Sequence, residues 1–511
     1  MNHDVLLVIE AFVMSGLVAA AYQAWQFARR SAIARLVLLL GCLFGFAANA
    51  PAATLWQTWQ AAQAHDPEFK AASAALAQAR AAKPGALAAL LPQVNGTLSR
   101  NYNNDSSEGP EYFGDNQIFP VSQSANTGTT NWQLELDQPL FNWSALKNLQ
   151  AANLDVAAAA ATYQDALAQL ATKVTTAYLD VLSARAALAA TQETVKGFAE
   201  QSREADARYH AGTTGVIGAD SARAALESAR GELLAARQQL TAAMNALEAL
   251  TGGPLSGPEA TLPTDYTVAE PGEQSAWLAR ALADNPRLAA AQLGARADNR
   301  RIGAADAGYL PNVSLALIRN QQIQSGSASY SIPGQVVPTP ADYNASGNEI
   351  ALQLSWNIFS GGATRAKVAQ ARAQADQSDA NASTTRLDVT REVKTRYAAL
   401  LMDAEQLETL RSAVSAARDA VKATTLGVKA GVRTEDDLVT QRERLLSAEQ
   451  SLNAAVATAV QDEIALYRAA GTLTDARLHQ LSQGLASAPA SAPASQTGNR
   501  PVNVSLNGVN Q

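Results

Sequence analysis

The chain has 511 residues, a formal net charge of −7, and is 47 % hydrophobic but only 6 % aromatic. That length allows two to four domains. The charge leaves no basic surface to hold phosphate backbones, so no nucleic acid is expected as a partner. Alanine stands where bulky core formers usually do, and alanine seams let helices approach closely along their whole length, which suits a long helical wall better than a thick core.

In chain order, residues 1–52 read as a targeting segment. Arg29, Arg30 and Arg35 precede the apolar run Leu36 to Phe46, and Ala50, Pro51 and Ala52 supply small residues for cleavage, the order of a secretory signal. The single cysteine, Cys42, lies inside it. Leu39 to Cys42 has the outline of a lipoprotein box, but too few apolar residues precede the cysteine and apolar residues follow it, so lipidation is not expected. An earlier apolar run, Val5 to Ala24, is interrupted by Glu10. Either an extended signal or a true start at Met14 accounts for it.

A short helix from Leu55, a break at Asp66-Pro67 and an Ala-rich helix to about Leu91 come next. Trp132, Leu134 and Leu136 then alternate with polar residues, as do Ile350, Leu352, Leu354, Trp356 and Ile358 later. Period two means strands with one apolar face. Val94 to Tyr102 and Val313 to about Arg319 are their expected partners, giving four strands of about nine to eleven residues, the length that crosses a bilayer at a tilt. The connections, Asn103 to Thr130 and Asn320 to Asn348, are rich in Gly, Ser, Asn and Pro and are expected to be exposed loops.

Asn142 to Tyr209 and Ser360 to Lys429 each read as one uninterrupted helix, about 100 Å long at 1.5 Å per residue. Apolar residues recur at spacings of three and four: Leu170, Val174, Tyr178, Val181, Ala184, Leu188, Val195 and Phe198 in the first, and Val393, Tyr397, Leu400, Ala404, Leu407, Leu410, Val414, Ala417 and Val421 in the second. Those are coiled-coil seams. A Gly-bearing turn (His210 to Gly218, Ala430 to Thr434) reverses each into a shorter helix, Ala219 to Leu250 or Glu435 to Ala470. Gly252 to Gln274 is a linker, Glu273 to Asp284 a short helix, and residues 486–511 an Ala/Ser/Pro-rich tail expected to be disordered.

Much of this is a duplication. Pro67 and Pro286, Leu91-Pro92 and Leu310-Pro311, Tyr178 and Tyr397, Gly212 and Gly431, Arg223 and Arg442, Gly252 and Gly471 all stand 219 residues apart, so a unit of about 55–252 recurs at about 274–471. Four strands cannot close a barrel, and open edges are not tolerated in lipid. Closure therefore needs other copies, and twelve strands leave an aqueous lumen where eight fill with side chains. His3, His65, His210 and His479 are dispersed and no phosphate loop or serine elbow is present, so no enzyme, metal or cofactor is expected. A periplasmic coiled-coil structural or adaptor protein without a pore is the competing reading.

The order signal, duplicated strand-strand-helix-turn-helix unit, LLPQV, and QPLFNWS before a long Ala-rich helix resembles the TolC family of outer membrane channels over about Leu55 to Gly471. The resemblance implies a mainly α fold with a membrane β-barrel, a homotrimer whose twelve strands continue into a helical periplasmic tunnel. It places residues 53–485 in that channel, set in outer membrane lipid, docked to a periplasmic adaptor (membrane fusion) protein, and served by an inner membrane ABC or proton-driven pump. It carries a gating role to Arg433 and a pore-constriction role to Asp437. Val428, Thr440 and Gly218 stand where the family has a gate tyrosine, a second pore aspartate and an acidic latch partner, and Asp220 or Asp206 is available to replace the last. Gly212, Thr213, Gly431 and Val432 fall on the adaptor-contact tips, and Arg411 serves as an exposed comparison.

Overall fold

The computed structural model describes residues 54–113, 117–212, 215–253, 262–263 and 265–486. The targeting segment lies outside these, and of the expected tail only Ala486 is described. The first unit begins with α1 (Leu55–His65) and α2 (Pro67–Ala88), passes through strands β1 (Gln93–Phe113) and β2 (Gln117–Phe141), and ends with α3 (Trp143–His210) and α4 (Val216–Thr251). The second repeats this order with α5 (Gln274–Asp284), α6 (Pro286–Asp306), β3 (Asn312–Ile332), β4 (Gln335–Pro340), β5 (Tyr343–Ser355), α7 (Ala363–Lys429) and α8 (Glu435–Ala469). A last helix, α9 (Asp475–Ala486), stands outside the duplication.

The same local chemistry starts equivalent helices. Asp66 Oδ1 accepts from Phe69 N–H at 2.7 Å and Asn285 Oδ1 from Leu288 N–H at 2.9 Å, each just ahead of a proline in the first turn. Both are side-chain N-caps in front of a residue whose missing N–H costs nothing there. Asn142 caps α3 in the same way, through Ala145 N–H at 2.9 Å. Thereafter α3 and α7 run unbroken for 68 and 67 residues.

The seams are largely buried as the spacing requires. Leu170, Val174, Tyr178 and Val181 of α3 form a core with Leu407 and Val414 of α7, Leu452, Val456 and Ile464 of α8, and Leu55 and Trp59 of α1. Val389, Val393 and Leu400 of α7 form a second core with Trp277 of α5 and Leu466 of α8. Ala404 departs from the expected seam and is exposed. The preceding position, Asp403, faces inward at 8 % exposure.

Asp403 lacks a hydrogen-bond partner for Oδ2. Burial, and secondarily the Asp462 carboxylate, push its pKa up to about 6. Asp462 itself pairs with Arg396 at 2.6 Å. A carboxyl whose pKa is higher folded than unfolded costs stability above its folded value, and the cost fades as pH falls toward the unfolded value. Asp403→Asn is therefore expected to be about 1–2 kcal/mol more stable than wild type at pH 8, taking 1.4 kcal/mol per unit and halving it for solvent screening. Urea denaturation should show that advantage shrinking through pH 6 and gone below pH 4; a constant advantage would mean that packing, not charge, is responsible.

The sheet overturns one expectation. Asn103 to Thr130 and Asn320 to Asn348 are mostly strand rather than loop, so β1, β2 and β3 have 21, 25 and 21 residues rather than about ten. Polar composition argued for loops, but a ladder pairs backbone with backbone and needs no apolar side chains once a neighbouring strand holds the register. In the second unit Gly334, at φ 86°, turns the chain back on β3 through β4, and after a break at Ala341–Asp342 β5 continues along the same neighbour. β5 also stops at Ser355, leaving Trp356 and Ile358 beyond the strand and exposed.

The order is β1-β2-β3-β5, all antiparallel. Val94 pairs with Leu136, Leu136 with Leu317, and Leu317 with Ile350. Partners directly opposite share a face, so Val94, Leu98, Trp132, Leu134, Leu315, Leu352 and Leu354 join them on one surface. Leu98, Ile350, Leu352 and Leu354 are 63–78 % exposed. The opposite face carries Thr97, Gln133, Glu135, Asp137, Asn320, Glu349 and Gln353. From Val313 to Gln321 the apolar face climbs about 20 Å at a 40° tilt, and Trp356, Ile358 and Phe359 extend it toward the helices. An arginine at Leu352 is expected to cost about 2–4 kcal/mol near the bilayer midplane, while Gln353→Arg on the other face is tolerated. Equal yields of folded protein from both would reverse the faces.

α9 has no counterpart in the sequence reading. Its Leu478 and Leu485 are buried, Ser482 Oγ accepts from Trp56 N–H at 3.1 Å, and Arg477 pairs with Glu463 of α8 at 3.1 Å. It fastens the first helix to the last of the duplicated unit. Leu478, Leu481 and Leu485 announce it at spacings of three and four, but over only two turns, too short a run to stand out beside the long seams.

Candidate functional site: the two helical tips

Both long helices end the same way. Gly212 and Gly431 take φ 71° and 74°, the left-handed conformation that closes a helix C-terminus and that glycine adopts without a Cβ penalty. At the second tip Val432 and Arg433 both donate backbone N–H groups to Gly427 O, at 2.9 and 3.2 Å, and Gly431 N–H donates to Val428 O at 3.1 Å. The Arg433 stem packs on Gly427, where an added Cβ would meet Arg433 Cγ at 2.7 Å. That fit fixes where the Arg433 stem leaves the turn.

α8 then starts with a capping box. Asp437 N–H donates to Thr434 Oγ1 at 3.1 Å, and Asp437 Oδ2 accepts from Thr434 N–H at 3.0 Å. These bonds, with Arg433 contributing, hold the Asp437 carboxyl below the usual carboxylate range. Asp437 is thus a structural cap, a role that its sequence position after Thr434 already permitted. Val428 is buried, and Thr440 and Gly218 are half-buried. Val432 is 76 % and Ile217 79 % exposed, an apolar pair at the ends of the two hairpins. Thr213 lies outside the described residues.

The groups that hold the tips together are ones to which the sequence assigned no role there. Arg208, in the last turn of α3, reaches across to Glu435 of α8 at 2.6 Å, and Gln201 Nε2 donates to Glu435 O at 2.9 Å. Glu435 has 9 % of its side chain exposed. Arg442 of α8 lies on the Phe198 ring of α3, 5.8 Å from its centroid. Desolvation pushes its pKa down against the pull of Glu200, Glu435 and Glu204. Gly197 makes room for it, since a Cβ there would collide with the guanidinium. An isolated glycine in an Ala-rich helix was the available signal.

Asp206 and Asp220, the acids available to replace the latch partner, both pair with Arg223, at 3.1 and 3.4 Å. The duplicated arginines thus diverge: Arg223 ties the first hairpin to itself, and Arg442 ties the second hairpin to the first. Arg411 is not exposed as expected; it is half-buried and donates to Tyr266 O. Between α3, α7 and α8 runs a groove of about 1350 Å³ lined by Arg185, Glu193, Arg418, Lys422 and Glu449, ending at Arg442. Among the described residues no group of histidines, cysteines or carboxylates is placed to hold a metal, and no helix is long and apolar enough to cross a membrane.

Residues 58–253 and 277–472 each match the model of one family, described as outer membrane efflux protein, and both ends of the second match lie 219 residues beyond those of the first. The chain belongs to the outer membrane efflux protein family. Outer membrane protein TolC of Escherichia coli (strain K12) is 24 % identical over 451 residues, covering 88 % of this chain and 89 % of that one. The alkaline protease secretion protein AprF of Pseudomonas aeruginosa is 24 % identical over 394 residues, 76 % and 79 % of the two chains. A crystal structure of CusC superposes with a TM-score of 0.67 at 19 % identity, over 83 % of this chain and 93 % of that one. As an outer membrane efflux protein the chain is an exit duct for secretion or efflux, set in the outer membrane and extending into the periplasm. The relatives it matches are channels, not enzymes.

Proposed function

We propose that three copies close a twelve-stranded barrel above a helical tunnel, and that the tips form a periplasmic mouth held shut at rest. The carrying observation is a sheet of β1, β2 and β3, with β4 and β5 in succession along β3, that has one exposed apolar face and, among the described residues, outer edges at β1 and β5 without a partner strand. Such edges cannot face lipid. In this reading Arg433 points toward the axis, where three cations repel unless answered. Asp437 supplies the opposite charge one turn on. Val428, Thr440 and Gly218 line the region, and the closing bonds of each protomer come from Arg208, Gln201 and Glu435.

Gly212, Thr213, Gly431 and Val432 meet the periplasmic adaptor, with Ile217 and Val432 as apolar contacts. An inner membrane ABC or proton-driven pump supplies the energy, and no catalytic, cofactor or nucleic-acid role is assigned to the duct. Residues 53–485 make up the duct and 1–52 direct its export. A periplasmic coiled coil without a pore leaves the apolar sheet face without a purpose.

Two measurements test the proposal. Native mass of the detergent-extracted protein should be that of a trimer. In planar bilayers Arg433→Glu should raise the resting conductance severalfold, while Arg444→Glu, an exposed position on α8, should not. A monomer, or a wild-type conductance for Arg433→Glu, overturns the corresponding half.

A further inference from the structure

Charges in the membrane band of the sheet are sorted by sign. Over residues 93–102, 128–141, 312–325 and 343–355 the acids are Glu135, Asp137 and Glu349, and the bases are Arg100 and Arg319. The pairing register puts every acid on the polar face and both bases on the apolar one, Arg319 opposite Leu134 and Arg100 opposite Thr130. No carboxylate of this band shares a face with either arginine.

The two arginines are also equivalents in the duplication, 219 residues apart, each seven residues beyond the start of its strand. Equivalent positions of a duplicated unit stand at one height in a barrel closed by that unit. Three copies therefore carry a ring of six guanidinium groups. Seven residues climb about 18 Å from the helical end at a 40° tilt, so the ring lies near the far side of an apolar band about 25 Å tall. The helices lie in the periplasm, so that side is the outer leaflet.

Each side chain has one contact within the sheet and keeps donors to spare. Arg319 donates one bond, from Nη1 to Asn348 Oδ1 at 2.7 Å, and Arg100 lies 5.1 Å from the Tyr102 ring centroid. Both residues are exposed. An arginine facing lipid is costly near the midplane and cheap at the interface, where its stem lies along apolar surface and its head reaches the headgroups. A planar guanidinium with donors to spare matches a phosphate.

We infer that Arg100 and Arg319 form a girdle that binds the phosphate groups of outer-leaflet glycolipid, one arginine to one phosphate. The inference rests on the barrel described above. Binding fixes the height of the channel in the membrane and seals its outer rim with lipid held in place.

The test uses the full-length trimer, delipidated in detergent and offered bisphosphorylated lipid A or its dephosphorylated form, with bound lipid counted by native mass spectrometry. Wild type should retain the phosphorylated lipid, and Arg100→Ala with Arg319→Ala should weaken retention by about tenfold or more, the loss of one charged hydrogen bond per site. The double lysine variant should keep an intermediate share, and the dephosphorylated lipid should be held weakly by all. Equal retention by the alanine variant, or equal retention of the two lipids by wild type, overturns the girdle. So does full displacement by millimolar inorganic phosphate, which would mark a free-phosphate site. If the double alanine variant does not assemble, the two single variants are read, each expected to lose part of the bound lipid. Trimer mass is recorded in the same spectra, so a failure of the barrel itself shows as a monomer and is distinct from a trimer that ignores the lipid.

Discussion

Gly471→Ala is expected to destabilise the protein by about 2–4 kcal/mol, and Gly252→Ala by clearly less, although the two glycines are equivalents in the duplication. Both end a short helix with φ near +70°, a conformation that costs a residue with a Cβ about 1 kcal/mol. What a new Cβ meets separates them. At Gly471 it falls 2.5 Å from Asp284 C and 2.8 Å from Asn285 N, backbone atoms at the junction of α5 and α6. Those atoms are fixed, because Asn285 caps α6 and its Nδ2 donates to Ala469 O at 2.9 Å. Overpacking against backbone adds about 1–3 kcal/mol. At Gly252 the Cβ meets the His65 side chain, its ring at 2.6 Å and its Cβ at 2.9 Å; the exposed ring can swing aside at the cost of its contact with Ala61 O, leaving only the Cβ contact to be relieved by a small shift. Thermal or urea midpoints of the two variants measure the difference, and equal losses would mean that the left-handed conformation alone sets the cost.

Arg208→Ala is expected to destabilise the tips by about 2 kcal/mol and to raise the resting conductance. Removing one member of a buried pair leaves the other charge unanswered, at about 3–5 kcal/mol in full burial. Here Arg208 is 31 % exposed and Arg442 remains near Glu435, which lowers the figure. A cycle with Glu435→Ala should give a coupling of about 1 kcal/mol or more. Additive single effects would show that the two residues act apart, and unchanged conductance with strong coupling would confine the pair to stability.

The fold was legible where spacing carried it. Two unbroken helices, the reversals at Gly212 and Gly431, the short helices after Asp66 and Asn285, and the apolar face of the sheet follow from period, caps and a constant offset. The outer halves of the strands were not legible, because Ser, Asn, Gln and Thr on both faces give no alternation and their pairing is decided by the neighbouring strand. The tip ties were hidden for a related reason. Arg208 and Glu435 are 227 residues apart, and nothing local marks which of many helix charges meets another. Subtraction by 219 did pair Arg442 with Arg223, but an offset in sequence carries no information about partners, and the two arginines have different ones.

The polar halves of the strands set the terms on which the exposed end of the channel can change over time. Beyond Tyr102 and Ser325 the described ribbon is held by its ladder and, Val121 apart, leaves its side chains exposed or half-buried, so most side chains there can be exchanged with little packing penalty. Gly326, where a Cβ would strike the Asn126 carbonyl, is an exception set by backbone alone. A surface built this way can drift in sequence while the lipid belt and the tips stay as they are. Diversity among homologous channels should therefore concentrate in residues 103–127 and 327–340, with the glycine preserved.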